Sequence, residues 1–147
     1  MKSIERTIKA AIASLLLVLL AACATGPKFS EVQGKFGGPP PDNARIFIYR
    51  TAIIGAAVQP AVRINGETVG SAVPQGFFYV DRPAGTYQVS TATEVTRTLS
   101  LTLEPGQTRY VRLGISMGFM IGHVYPELVD DAVGASEIKD CHYVGGP

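Results

Sequence analysis

From Ala44 onward the chain alternates short apolar runs with turn signals about every ten residues, the spacing of a β-sandwich or barrel. Arg45 to Arg50 carries Ile46 and Ile48 on one face and Phe47 and Tyr49 on the other, as a central strand covered on both sides would. Val58 to Ile64 reads as the next strand. Asn65-Gly66 then predicts a type I′ hairpin turn, because that turn needs positive φ at both central positions. It joins Val62-Arg63-Ile64 to Glu67-Thr68-Val69. Phe77 to Val80 follows, then a turn at Arg82-Pro83-Ala84-Gly85 and a strand from Thr86 to Thr93 with Tyr87, Val89 and Thr91 on one face. Thr98 to Leu103 is the clearest amphipathic strand, with Leu99, Leu101 and Leu103 alternating with Thr98, Ser100 and Thr102. Pro105-Gly106 turns the chain into Thr108 to Ile115, where Val111, Leu113 and Ile115 share a face. Tyr125 to Val129 is a final strand, and Asp130 to Lys139 reads as one or two helical turns started by an aspartate cap. The expected fold is all-β, a small sandwich of seven to eight short antiparallel strands.

The first 43 residues have a different pattern. Lys2, Arg6 and Lys9 precede an uncharged apolar stretch from Ala10 to Leu20, and small Ala21 and Ala22 precede Cys23. That is the order of an export signal. The apolar stretch is too short to cross a bilayer core, which takes about 20 residues. Leu20-Ala21-Ala22-Cys23 resembles the lipobox of bacterial lipoproteins. The resemblance implies cleavage between Ala22 and Cys23, diacylglycerol on the Cys23 thiol and acylation of the new amino terminus. Ala24 stands where, by resemblance to enterobacterial sorting, an aspartate would retain the protein in the inner membrane, so the expected location is the outer membrane, facing the periplasm. Ala24 to Asn43 holds Gly26-Pro27, Gly34, Gly37-Gly38 and Pro39-Pro40-Pro41, a composition that opposes helix and ladder formation. It reads as a flexible tether spanning about 25 Å root mean square and about 65 Å fully extended. Phe29, Val32 and Phe36 are the exception, since isolated apolar residues can fold back on the domain. The expected organisation is a signal peptide at 1–22, an anchor and tether at 23–43, and a β-sandwich at 44–147.

Removing residues 1–22 takes away Lys2, Arg6, Lys9 and Glu5, so 13 basic and 12 acidic residues become 10 and 11 and the net charge moves from +1 to −1. The remaining arginines are dispersed singly, reading as solvated or turn residues, without the basic stripe of a nucleic-acid-binding protein. With Cys23 in a thioether, Cys141 is left unpaired and the fold must stand without a disulfide.

The succession Ala44-Arg45-Ile46-Phe47-Ile48-Tyr49-Arg50, Val62 to Gly66, Gly76-Phe77-Phe78-Tyr79-Val80, Pro83-Ala84-Gly85-Thr86-Tyr87 and Tyr110-Val111-Arg112 through Ser116-Met117-Gly118-Phe119 resembles a bacterial lipoprotein family. It is catalogued as domain of unknown function twenty-eight forty-six. The resemblance implies a small anchored β-sandwich and brings no established activity with it.

Candidate chemistry is sparse. Ser116, His123 and Asp130 or Asp131 could be drawn as a triad, but triads are defined by geometry, not by presence. Glu127, Asp130 and Asp131 lack the spacing of a calcium loop. Asp140-Cys141-His142 lacks the second ligand pair of a zinc site. Gly114, Gly118 and Gly122 recur every fourth residue in a run too short to span a membrane. No catalytic residue, metal or cofactor is expected. The surviving candidate is Met117, Phe119, Met120 and Ile121, in a run with no charge from Gly114 to Val124. These side chains either close one end of the sandwich as core or dock a partner protein, a second copy or the membrane face, methionine and phenylalanine being enriched at adaptable interfaces. The expected function is a lipid-anchored periplasmic module with a binding or envelope-structural role, not an enzyme. A small envelope hydrolase is the alternative, and would need a concave pocket of converging polar groups with shifted pKa values.

Overall fold

The computed structural model describes residues 1, 4–9, 24–120 and 122–145. Ala22, Cys23 and most of the export segment lie outside the described residues, as does Ile121. Nine strands form two sheets: β1 (Asn43–Tyr49), β2 (Ala61–Ile64), β3 (Glu67–Ser71), β4 (Gly76–Pro83), β5 (Gly85–Ala92), β6 (Thr96–Leu103), β7 (Thr108–Ser116), β8 (His123–Val129) and β9 (His142–Tyr143). Sheet A runs β8-β7-β1-β4-β9 and sheet B runs β3-β2-β5-β6. The sandwich is as expected, but its strands are not all antiparallel. β1 pairs with β7 in parallel, Ile46 opposite Arg109 and Ile48 opposite Val111, and β9 pairs with β4 in parallel. Consecutive strands from β1 to β8 alternate in direction, whereas β9, reached through residues 130–141, runs the same way as β8. With β1 central, β4 comes to one flank antiparallel and β7, an odd-numbered strand, comes to the other parallel.

β1 is buried from Ala44 to Tyr49, because both faces of sheet A are covered. Between the sheets lie Ile46, Ile48, Val62, Ile64, Phe78, Val89, Leu101, Leu103, Val111 and Leu113. On the far side of sheet A a second core gathers Phe29, Val32, Phe47, Tyr49, Phe77, Tyr110, Ile138 and Cys141. The alternation read along β1 therefore divides its residues between two cores. β6 has one dry face and one wet, with Leu101 and Leu103 buried and Ser100 and Thr102 exposed. Asn65 and Gly66 both have positive φ, 49° and 86°, as the I′ turn requires. Val58 to Pro60 stay outside β2: the Val58 carbonyl is taken by an arginine, and Pro60 has no N–H to give a ladder.

The second core revises the expected tether. A short helix α1 (Phe29–Val32), continued by a 3₁₀ turn at Gln33–Lys35, lies across sheet A, where the Phe29 ring meets Phe47 and Phe77 edge-on at 5.2 Å. Phe36 packs 5.1 Å from Tyr79. Arg45, 4% exposed, donates to the Phe36, Gly37 and Gly38 carbonyls while paired at 2.8 Å with Asp81. The three isolated apolar residues thus fold back on the domain as their exception allowed, and the segment that holds them is helical where glycine and proline spacing pointed to no regular structure.

Arg45 and Arg50 are buried, contrary to the expectation that the arginines are solvated. Helix α2 (Asp131–Glu137) and a 3₁₀ turn at Ile138–Asp140 complete the cover of sheet A. Asp130 occupies the N-cap position but its side chain makes no capping bond; its carbonyl accepts from Gly134 N–H at 2.9 Å.

Candidate functional site

Because strand directions alternate, four connections share one pole of the sandwich: residues 50–60, 72–75, 93–95 and 117–122. A hydrogen bond from the Thr91 hydroxyl to the Val124 carbonyl, 2.6 Å, ties the two sheets near this pole. Seven large apolar side chains are exposed among the described residues from Ala24 onward, and six of them are here: Ile53, Ile54, Val95, Met117, Phe119 and Met120. Met117 is 92% and Phe119 96% exposed, so neither closes the sandwich as core. The opposite pole is built from Asn65-Gly66, Ala84, residues 104–107 and the approach to β1. It carries Asp42, Glu104 and Asp130, and the seventh exposed apolar side chain, Val133, follows Asp130 by three residues.

The four connections themselves hold two charged side chains, Arg50 and Glu94, and both turn inward; the exposed Asp140–Lys28 pair lies to one side, next to Thr51 and Gln75. Arg50, 0% exposed, donates from its guanidinium to five carbonyls: Ala52 (3.2 Å), Val58 (2.8 Å), Ala72 (2.8 Å), Ile54 (2.9 Å) and Gly55 (3.0 Å). Burial lowers its pKa, because water is lost and no carboxylate among these contacts replaces it. Arg50 thus holds the 51–60 loop from beneath. Glu94 does the same for the 117–122 loop. Its carboxylate accepts the backbone N–H of Phe119 (3.0 Å) and Met120 (2.7 Å) and is met by His123 Nε2 at 2.9 Å.

The other candidates are scattered. Ser116 and His123 sit opposite each other in the β7–β8 register, but His123 is engaged by Glu94. Asp130 lies past the far end of β8, about seven residues and roughly 24 Å from His123 along a strand, so the drawn triad does not assemble. Glu127 is paired with Arg112 at 2.9 Å, and Arg112 also reaches Glu137 at 2.7 Å, which accepts from the Tyr49 hydroxyl at 2.6 Å. Asp140, Cys141 and His142 diverge. Asp140 pairs with Lys28, and His142 Nδ1 donates to the Gly26 carbonyl at 2.6 Å. An open depression of about 230 Å³ is lined by Thr51, Gln75, Glu137, Asp140 and Cys141. Burial, with help from Asp140 and Glu137, pushes the Cys141 thiol up to about 12, which keeps it protonated and poorly nucleophilic at neutral pH. Among the described residues no group of three or more His, Cys, Asp or Glu could hold a metal ion. The glycine spacing has separate causes: a Cβ at Gly114 would lie 2.5 Å from the Tyr125 ring that covers it, whereas Gly118 and Gly122 belong to the loop.

Ile53, Ile54 and the two inward charges were missed from sequence. For Arg50 the signal was present: it follows Ala44, Ile46 and Ile48 at strand period and so faces the space between the sheets. Nothing local marks Glu94.

Fold and surface together define the class: a two-sheet β-sandwich with an apolar pole, its exposed loops braced from within. No solved structure matches the chain significantly. The chain belongs to the family described as Protein of unknown function (DUF2846), whose pattern it matches over residues 40–124. A protein of Haemophilus influenzae described as uncharacterized is 30% identical over 127 residues, covering 83% of this chain and 76% of its own length.

Proposed function

We propose that this chain is a lipid-anchored module of the bacterial cell envelope, processed between Ala22 and Cys23 and held by acyl chains on Cys23. The outer membrane, facing the periplasm, is assigned on the sorting position of Ala24 alone. The role is binding or structural rather than catalytic, and it works through the apolar pole. The anchor is supported by the charged, apolar and small-residue order ending in Leu20-Ala21-Ala22-Cys23. The observation that carries the working surface is the gathering at one end of six of the seven large apolar side chains exposed among the described residues from Ala24 onward. A monomer facing only water has no use for such a concentration.

The test has two arms. Cys23→Ser should abolish labelling by palmitate and leave an unprocessed or mislocalised chain; equal labelling of the variant refutes the anchor. Met117→Ser with Phe119→Ser should change stability, read from the thermal midpoint, by no more than an ordinary surface change of about 0.5 kcal/mol, while lowering the yield of crosslinks to native membrane components. An unchanged crosslink yield refutes the pole as working surface.

A further inference from the structure

We infer that the apolar pole is a membrane-insertion surface: the tips of the 51–60, 93–95 and 117–122 loops enter the lipid interface of the leaflet that holds Cys23. This rests on the lipid-anchored reading above. The first support is where the chain leaves the domain. Ala24 N–H donates to the Pro74 carbonyl at 3.3 Å, and Pro74 lies in the 72–75 connection at the apolar pole. Consecutive Cα atoms are about 3.8 Å apart, so the acylated residue is one peptide unit from that pole. Diacylated Cys23 could not lie in a bilayer without bringing this end of the sandwich to the membrane surface, while the charged end points away.

Backbone chemistry supplies the second support. Loop tips in water satisfy their N–H and C=O groups with solvent, but in hydrocarbon each unsatisfied group is costly and must be paired within the protein. Here Arg50 takes the carbonyls of Ala52, Ile54, Gly55 and Val58, and Glu94 takes the amides of Phe119 and Met120. Each loop meets part of its hydrogen-bonding need from below, leaving Ile53, Ile54, Met117, Phe119 and Met120 to project without a charge among them. Amphipathic surfaces of this kind settle about 5 to 10 Å into the headgroup and acyl boundary. A protein partner would be served by the same side chains, but nothing would then require them to share a pole with the anchor.

The chain contains no tryptophan, so one introduced at a tip reports alone. The processed full-length protein, carrying Phe119→Trp or, at the charged pole, Glu104→Trp, is reconstituted in vesicles of phosphatidylethanolamine and phosphatidylglycerol, with and without brominated acyl chains. The indole of the Phe119→Trp variant should emit to the blue of the one at the charged pole and lose intensity to brominated lipid, while the charged-pole indole does neither. Met117→Trp repeats the measurement at a second tip. Emission from both tips as in water overturns the inference, and so does a blue shift without bromine quenching, since protein rather than lipid then covers the pole. Palmitate labelling is scored in parallel. Quenching without labelling upholds insertion and refutes the anchor; labelling without quenching does the reverse.

Discussion

Arg50 should be the single side chain on which the apolar pole most depends. Arg50→Met keeps most of the aliphatic stem and removes all five N–H donors. Hydrogen bonds to a charged group contribute about 1.5–3 kcal/mol each, and five such terms would equal the whole stability of a typical domain, so they cannot simply be added. Four of the acceptors, the carbonyls of Ala52, Ile54, Gly55 and Val58, belong to a surface loop that can swing outward and rehydrate. The Ala72 carbonyl is the buried acceptor and has no such escape, and an orphaned buried group costs about 1–3 kcal/mol. Against these losses stands the relief of a buried cation that no carboxylate among its contacts neutralises, a burden shown by its lowered pKa. The net expectation is a loss of about 3 kcal/mol and a fall of roughly 10 °C in thermal midpoint. Arg50→Lys, with three donors, should fall between the two. Calorimetry gives the midpoint, and limited proteolysis should find cleavage within residues 51–60 in the methionine variant only. If Arg50→Met unfolds at the wild-type temperature and its loop stays resistant, the carbonyl cradle is not what supports the pole.

Leu101→Ala should cost about 2–5 kcal/mol in chemical denaturation and Thr102→Ala far less, because Leu101 is 4% exposed on the dry face of β6 and Thr102 faces water. Phe29→Ala should destabilise the domain by about 3–5 kcal/mol, an effect a free tether would not produce. Cys141 is raised from 9.0 to about 12 by burial, so the folded state holds a proton that the unfolded state releases. Its contribution is intact below pH 9 and lost as pH rises towards 12; denaturation at pH 8 and about pH 11 should show a smaller decline for Cys141→Ala than for wild type, with Tyr49 and Tyr110, also raised by burial, supplying the remainder.

What was legible in the chain was whatever strand period encodes. Ile46 and Ile48 against Phe47 and Tyr49 announced a strand with two dry faces, Leu101 and Leu103 one with a single dry face, and Asn65-Gly66 a turn. Period says which way a side chain points but not which strand lies beside it. The parallel β1–β7 pairing and the two-residue β9 were therefore invisible. Composition also misled, because glycine and proline near residues 34–41 forbid regular ladders without forbidding burial. Phe29, Val32 and Phe36, spaced i, i+3 and i+7 as on one face of a helix, were the readable exception, and they meet the face of sheet A that sheet B leaves open. The apolar run at Met117 to Ile121 could be found by its lack of charge. Its neighbours Ile53 and Ile54 become part of the same surface only when alternating strand direction brings four connections to one pole.

The path of residues 24–43 then sets how far the domain can stand from its proposed anchor. The segment starts at the apolar pole, where Ala24 bonds Pro74, and ends at the charged pole, where Asn43 opens β1. β1 is seven residues long, so about 24 Å of the segment's reach is used in crossing sheet A rather than in bridging to a membrane. Recovering that reach means peeling Phe29, Val32 and Phe36 from the second core. Each buried apolar side chain stabilises by about 1.5–3 kcal/mol, with less for half-buried Phe36, so release costs roughly 4–8 kcal/mol. A state that far above the ground state is populated at about one molecule in a thousand or fewer, each 1.4 kcal/mol being a factor of about ten. A role at the surface of the anchoring membrane needs no such release, whereas a role requiring the domain to reach across the periplasm would need a partner able to displace the 24–36 segment.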